Sequence, residues 1–153
     1  MKKALLTAVI CIACATTMMA QSASSIRQGV INYLREEGFN PTMNDDGQTV
    51  NFKREGAMYG VSIIGDEAPY TIYIYRAGLD LSNYDRTRML KACNRANREK
   101  RAAKAQVGTS SVIFSSELYC SSLSELTNVL LLSARCANNM RETVIKYYNE
   151  NSF

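Results

Sequence analysis

Between residues 48 and 75 apolar and polar side chains alternate in three successive runs. Val50 and Phe52, then Tyr59, Val61 and Ile63, then Tyr70, Ile72 and Ile74 recur at period two, separated by Arg54-Glu55-Gly56 and Gly65-Asp66-Glu67-Ala68-Pro69. This spacing predicts an antiparallel meander. The third run carries a second row, Thr71, Tyr73 and Tyr75, which predicts a central strand or one with an exposed aromatic row. A shorter extended run over 39–43 leads into Asn44-Asp45-Asp46-Gly47, where the Asp-Gly step supplies the positive φ of a tight hairpin. Four strands in sequence result.

The period changes on either side. Ser25, with Gln28 three residues on, predicts a capped helix carrying Ile26, Val30 and Leu34 on one face and ending at Gly38. Gly29 and the β-branched Val30-Ile31 make it a poor helix in isolation, so its apolar stripe must pack on the sheet. Ser82 with Asp85 predicts a second helix over 83–103, with Leu90, Cys93 and Ala96 or Asn97 facing inward. Extended segments follow over 105–107 and 112–118, with Gly108-Thr109-Ser110 as a hairpin tip. Ser122 and Glu125 then start a last helix, lined by Leu126, Val129, Leu130, Ser133, Ala137, Met140 and Val144 and running to Tyr147 or Tyr148. At about 25 residues it would be roughly 38 Å long, more than the sheet it must cover. It should bend, overhang, or meet a second chain. The expected fold class is α+β: a four-stranded meander plus a two-stranded hairpin packed against helices, in the order α-β-β-β-β-α-β-β-α.

The N-terminus stands apart from this pattern. Met1-Lys2-Lys3, an apolar run from Ala4 to Ala15 and a small residue at Ala20 have the form of a signal peptide over residues 1–20, with Ala23 as a second cleavage candidate. The run is too short to span a bilayer comfortably. The expectation is an exported protein, periplasmic or secreted. Removing residues 1–20 from the 153-residue chain leaves 133, which suits one domain over 24–150 with a core of its own. It also leaves 16 basic against 14 acidic residues, a net charge of about +2, so no nucleic-acid partner is expected.

Three cysteines remain after the leader: Cys93, Cys120 and Cys136. In an oxidising compartment two of them can pair, and Cys93 with Cys136 fit if their helices meet; three buried small apolar residues is the other reading. The chain has no histidine and no tryptophan. That removes the histidine-based nucleophile arrangements, the usual zinc sites and the commonest general base, and no glycine-rich phosphate loop is present. The Asn-Asp-Asp-Gly loop lacks the further oxygen ligands and closing glutamate of a calcium loop. No cofactor, metal or catalytic activity is expected.

Two surfaces carry the candidate chemistry. Tyr73 and Tyr75, with Met58 and Ile64 at matching parity on the neighbouring strand, predict an amphipathic sheet face suited to a protein partner, unless the long last helix covers it. Arg88, Lys91, Arg95 and Arg98 stand at offsets of three and four on the second helix, a cationic stripe that is either a solvated face or a dock for an acidic peptide, phosphate or lipid headgroup. Contact with a membrane surface is the lesser of these expectations.

The order of elements resembles the YbjN family, the putative bacterial sensory-transduction regulators, whose domain is similar to the type III secretion chaperone fold. The residues that carry the resemblance are Val30-Ile31-Asn32-Tyr33-Leu34 running into Glu37-Gly38-Phe39, Asp46-Gly47 followed by Val50-Asn51-Phe52, Asn94-Arg95-Ala96-Asn97, and Val112-Ile113-Phe114. They span most of residues 26–145. The resemblance implies a non-catalytic module that binds another protein, often as a dimer. The leader and the basic run after Asn97 depart from the family, and an exported version cannot serve a cytosolic injection apparatus. Asn94 and Asn97 share a helix face, from which their amides can tie the helix to strand-end backbone groups.

Overall fold

The first helix, α1 (Ala23–Glu36), starts where the Ser22 hydroxyl accepts the Ser25 amide at 3.2 Å. The cap therefore lies three residues before the expected Ser25, because the Ser25 amide is itself the donor being capped. The computed structural model describes residues 22–150, so the signal peptide expected over residues 1–20 lies outside the described residues. Gly38, at φ +85°, closes the helix: its amide reaches Arg35 O at 3.0 Å and that of Phe39 reaches Leu34 O at 2.9 Å. This is the paired closing pattern that needs a left-handed residue after the helix. Gly29, costly for helix propensity, has a packing reason, since a Cβ there would stand 2.2 Å from Leu123 Cδ2.

The meander is present. Strands β1 (Thr42–Met43), β2 (Thr49–Arg54), β3 (Ala57–Ile64) and β4 (Tyr70–Asp80) pair antiparallel in succession. The first is only two residues long, shorter than the expected 39–43, because Phe39 is used in the helix closure and in an edge-on ring contact with Phe52 at 5.4 Å. Its loop to β2 turns on Gly47 at φ +68°. There Asn44 Oδ1 accepts the Gln48 and Thr49 amides and Asp46 Oδ1 accepts Gln48 at 2.7 Å. Glu55 and Gly56 both take positive φ, 51° and 77°, which is the two-residue hairpin geometry that matches strand twist. The second hairpin, β5 (Lys104–Val107) and β6 (Ser111–Cys120), joins the same sheet through β4. One six-stranded sheet results, in the order β1-β2-β3-β4-β6-β5.

Helix α2 (Arg86–Glu99) is shorter than the predicted 83–103. Asp80 caps a separate 3-10 turn over Leu81–Asn83 by accepting the Ser82 amide, and Asp85 caps the helix proper by accepting Arg88 at 2.7 Å. The expected Ser82-Asp85 box is thus two caps in tandem. The inward residues are Met89, Ala92, Cys93 and Ala96, whereas Leu90, expected inside, is 40 % exposed. Cys93 and Ala96 face inward as expected, and Met89 takes the core position beside Ala92 and Cys93 that Leu90 was expected to fill.

Helix α3 (Leu123–Glu150) begins as expected, with Ser122 Oγ accepting the Glu125 amide and the Glu125 carboxylate accepting Ser121 N at 2.7 Å. Its 28 residues span roughly 42 Å. The excess length is used within the chain. Leu126, Leu130 and Ala134 close one core with α1 and β2–β4, while Met140, Val144 and Tyr147 close a second with α2, β5 and the start of β6. Large-to-small replacement at either set should cost about 2–5 kcal/mol. All three described α-helices lie on one side of the sheet, since the buried strand positions Val50, Phe52, Tyr59, Val61, Ile63, Ile72, Ile74 and Phe114 share that side.

Candidate functional site: the open face of the sheet

Strand alternation sends the opposite parity away from the helices. Met58, Ser62 and Ile64 of β3, Thr71, Tyr73 and Tyr75 of β4, and Ile113, Glu117 and Tyr119 of β6 stand together on that side. No described helix packs there. Met58 and Ile64 are about half exposed, at 47 % and 53 %, and Tyr119 is 70 % exposed. The long last helix packs against the other side of the sheet and does not cover this face.

Cross-strand register shapes the patch. Tyr75 is opposite Gly60, and a Cβ at Gly60 would lie 2.3 Å from Tyr75 Cζ, so the ring lies across the glycine and would have to move for any larger residue there. Tyr73 is opposite Glu117, and its hydroxyl donates to Glu117 Oε1 at 3.2 Å. That bond, with the carboxylate's charge, raises the Tyr73 phenol above its ordinary pKa. Thr49 Oγ1 and Ser62 Oγ share a hydrogen bond of 2.6 Å. The surface is thus apolar and hydroxyl-bearing, with its tyrosines held in place.

Ile113 and Tyr119 extend the patch beyond Met58, Ile64, Tyr73 and Tyr75, and sequence reasoning missed them. Their signal is the period of two through Ile113, Ser115, Glu117 and Tyr119, which gains meaning once β6 is known to pair with β4. Tyr119 also borders a groove of about 700 Å³ between the end of β6 and α3, where Leu118, Val129, Leu132 and Cys136 supply apolar walls and Glu117 and Glu125 the charges.

The basic stripe is divided by its contacts. The Arg88 guanidinium sits 4.6 Å from the Tyr148 ring centre and donates to Asn149 O, while Arg95 lies 4.0 Å over the Tyr147 ring and pairs with Glu99 at 3.2 Å. These two arginines fasten α2 to the end of α3. Lys91 and Arg98 are exposed on the other flank. Of the two asparagines, Asn97 makes the expected tie: its side chain donates to Ala105 O at 2.9 Å and accepts Ala105 N at 2.8 Å, while Asn94 points to solvent.

The pairing of Cys93 with Cys136 that the sequence allowed is not formed, and Cys93, Cys120 and Cys136 are free thiols. Cys93 is enclosed in the second core, and burial pushes its thiol up to about 11. Among the described residues no group of acidic or sulfur side chains is placed to hold a metal ion, and no helix is long and apolar enough to cross a membrane. No family model matches the chain, and no curated protein matches it either.

Proposed function

We propose that the protein is an exported, non-catalytic protein-binding or regulatory module of the YbjN and secretion-chaperone-like type. The observation that carries this reading is the sheet face bearing Met58, Ile64, Tyr73 and Tyr75, left uncovered by the helices and enlarged by Ile113 and Tyr119. Exposed contiguous apolar and tyrosine-rich surface of this kind is a mark of protein contact. The order α-β-β-β-β-α-β-β-α supports the resemblance at the level of fold class. Binding of anionic ligands through α2 is the weaker reading, because Arg88 and Arg95 are engaged with Tyr148 and Tyr147.

The simplest occupant of the face is a second copy of the chain, since a flat tyrosine-bearing patch can meet itself across a two-fold axis. Light scattering of the mature protein, with a photo-crosslinking residue at position 58 or 73, tests this. A dimer that M58K/I64K converts to monomer supports it. A crosslink to a different envelope protein retains the face and replaces the occupant. A monomer that crosslinks to nothing rejects the proposal.

A further inference from the structure

We propose that the edge of β6 beyond the start of β5 is a slot for the C-terminal end of another protein, taken up as an added strand with its carboxylate against Arg101 and its neighbours. Strand β5 accompanies only part of β6. Lys104 faces Ser115 and Val107 faces Val112, while β4 runs beside β6 as far as Cys120. Among the described residues, 117–120 therefore have a strand on one side alone.

The hydrogen-bond phase shows which groups are left over. Successive residues of an antiparallel strand turn their backbone groups to alternate sides. The Gly108 amide donates to Ser111 O at 2.8 Å, so the odd residues of β6 address β5. Glu117 and Tyr119 continue that set past the end of β5. The Ala102 carbonyl, which would meet Glu117 if the pairing went on, instead accepts the Ser116 hydroxyl at 2.7 Å. The backbone N–H and C=O groups of Glu117 and Tyr119 thus point out of the sheet edge, the arrangement that accepts a further strand.

Beside that edge lies the groove of about 700 Å³ walled by Val129, Leu132 and Cys136 of α3. Leu118 is opposite buried Ile72 and so faces the helix side; the residue of an added strand that pairs with it would turn the same way, toward Val129 and Leu132. Leu132 is 58 % exposed, an apolar side chain left largely uncovered. A hydrocarbon ligand would suit these walls but leave the edge backbone groups unmet, whereas a peptide satisfies both.

Charge fixes the direction. An antiparallel strand would run in the same sense as β5 and end against Ala102. Two hollows meet the groove there, of about 400 and 330 Å³, the first lined by Lys100 and Arg101 and the second by Arg101 and Lys104. These three cations are exposed, and among the described residues none is in an ion pair. The nearby acids are held elsewhere: Glu99 by Arg95 and Tyr147, Glu117 by the Tyr73 hydroxyl, and Glu125 by the Ser121 amide. A free carboxylate suits that end, and a parallel strand would bring an amino terminus to the same cations. The slot has room for about four residues, roughly 13 Å. It gives a partner chemistry to the protein-binding reading on which it rests, and it uses the edge of the sheet instead of its open face.

The test uses the full mature chain and a library of random heptapeptides displayed with free C-termini. The best enriched sequence is synthesised as the acid and as the amide, each with an N-terminal fluorescein. Fluorescence anisotropy is expected to show the amide binding roughly tenfold more weakly, and K100S/R101S/K104S should bring the acid down to the level of the amide. L132D, at an exposed position, should weaken both. In the wild-type protein the acid peptide should slow hydrogen exchange at the Glu117 and Tyr119 amides, a readout that needs no variant. A library with no enriched peptide, equal binding of acid and amide, or binding that leaves both amides exchanging as before overturns the proposal. Binding lost in M58K/I64K and kept in L132D places the peptide on the open face, which overturns the slot and leaves the protein-binding reading intact.

Discussion

Asn97 shows how much one side chain can settle. Its amide satisfies both backbone groups of Ala105, at 2.9 and 2.8 Å, and so fixes where β5 begins relative to the end of α2. N97A leaves a part-buried donor and acceptor unmet and is expected to cost about 1–3 kcal/mol in urea unfolding, whereas N94A, at an exposed position, should be within about 0.5 kcal/mol of wild type. Cys93 is a second case. With its thiol pushed up to about 11 and its side chain enclosed by the second core, it is expected to resist iodoacetamide at pH 8 in the native protein and to react at once in urea. Mass spectrometry of the alkylated peptides checks this. Both residues stood out in the sequence, but their roles were legible to different degrees. The Asn97 tie follows from an amide on a helix next to a strand, while Cys93 was equally consistent with a disulfide until Cys136 was seen to remain a free thiol.

At the scale of elements, α3 contributes to both cores and its last turns are fastened to α2. Its last turns carry Tyr147, hydrogen-bonded to Glu99 and lying under Arg95, and Tyr148, which accepts the Asp85 amide at 2.9 Å and lies under Arg88. The Tyr147 hydroxyl, and Arg95 after it, hold the Glu99 carboxyl below its ordinary pKa. A carboxylate depressed in this way adds stability that is present above its unfolded pKa, ordinarily about 4.3, and lost as pH falls through the folded value. E99Q is therefore expected to be less stable than wild type near pH 7, with the gap closing as the pH is lowered into and below the carboxylate range. Urea midpoints at pH 7 and pH 3 measure it; a gap that persists at pH 3 would assign the effect to shape instead of charge. Helix type and order were readable from period and caps, whereas boundaries were not. Ser22 displaced Ser25, and Asp80 and Asp85 divided what looked like one start, because a cap is chosen by which amide points at which oxygen. On α2, Cys93 and Ala96 lie inside as expected but Met89 stands where Leu90 was expected, since the two are equally apolar and only packing selects between them.

For the whole molecule, one sheet with every described helix on a single side leaves the other side to solvent or to a partner. If that face serves binding and not folding, M58K/I64K should leave Tm within a few degrees of wild type, because both side chains are already about half in water, while contact with the partner is lost. A large drop in Tm in that variant would show that the face belongs to the fold. The meander, the α+β class and the alternation that puts Met58, Ile64, Tyr73 and Tyr75 on one surface were set by the chain itself, because strand period and turn residues are local properties. Tertiary structure decided the rest: that β6 pairs with β4 and adds Ile113 and Tyr119 to the face, and that α3 spends its length on two cores and leaves the face open. Those outcomes depend on contacts between residues tens of positions apart, and no local pattern encodes which of two apolar surfaces a helix will choose to cover.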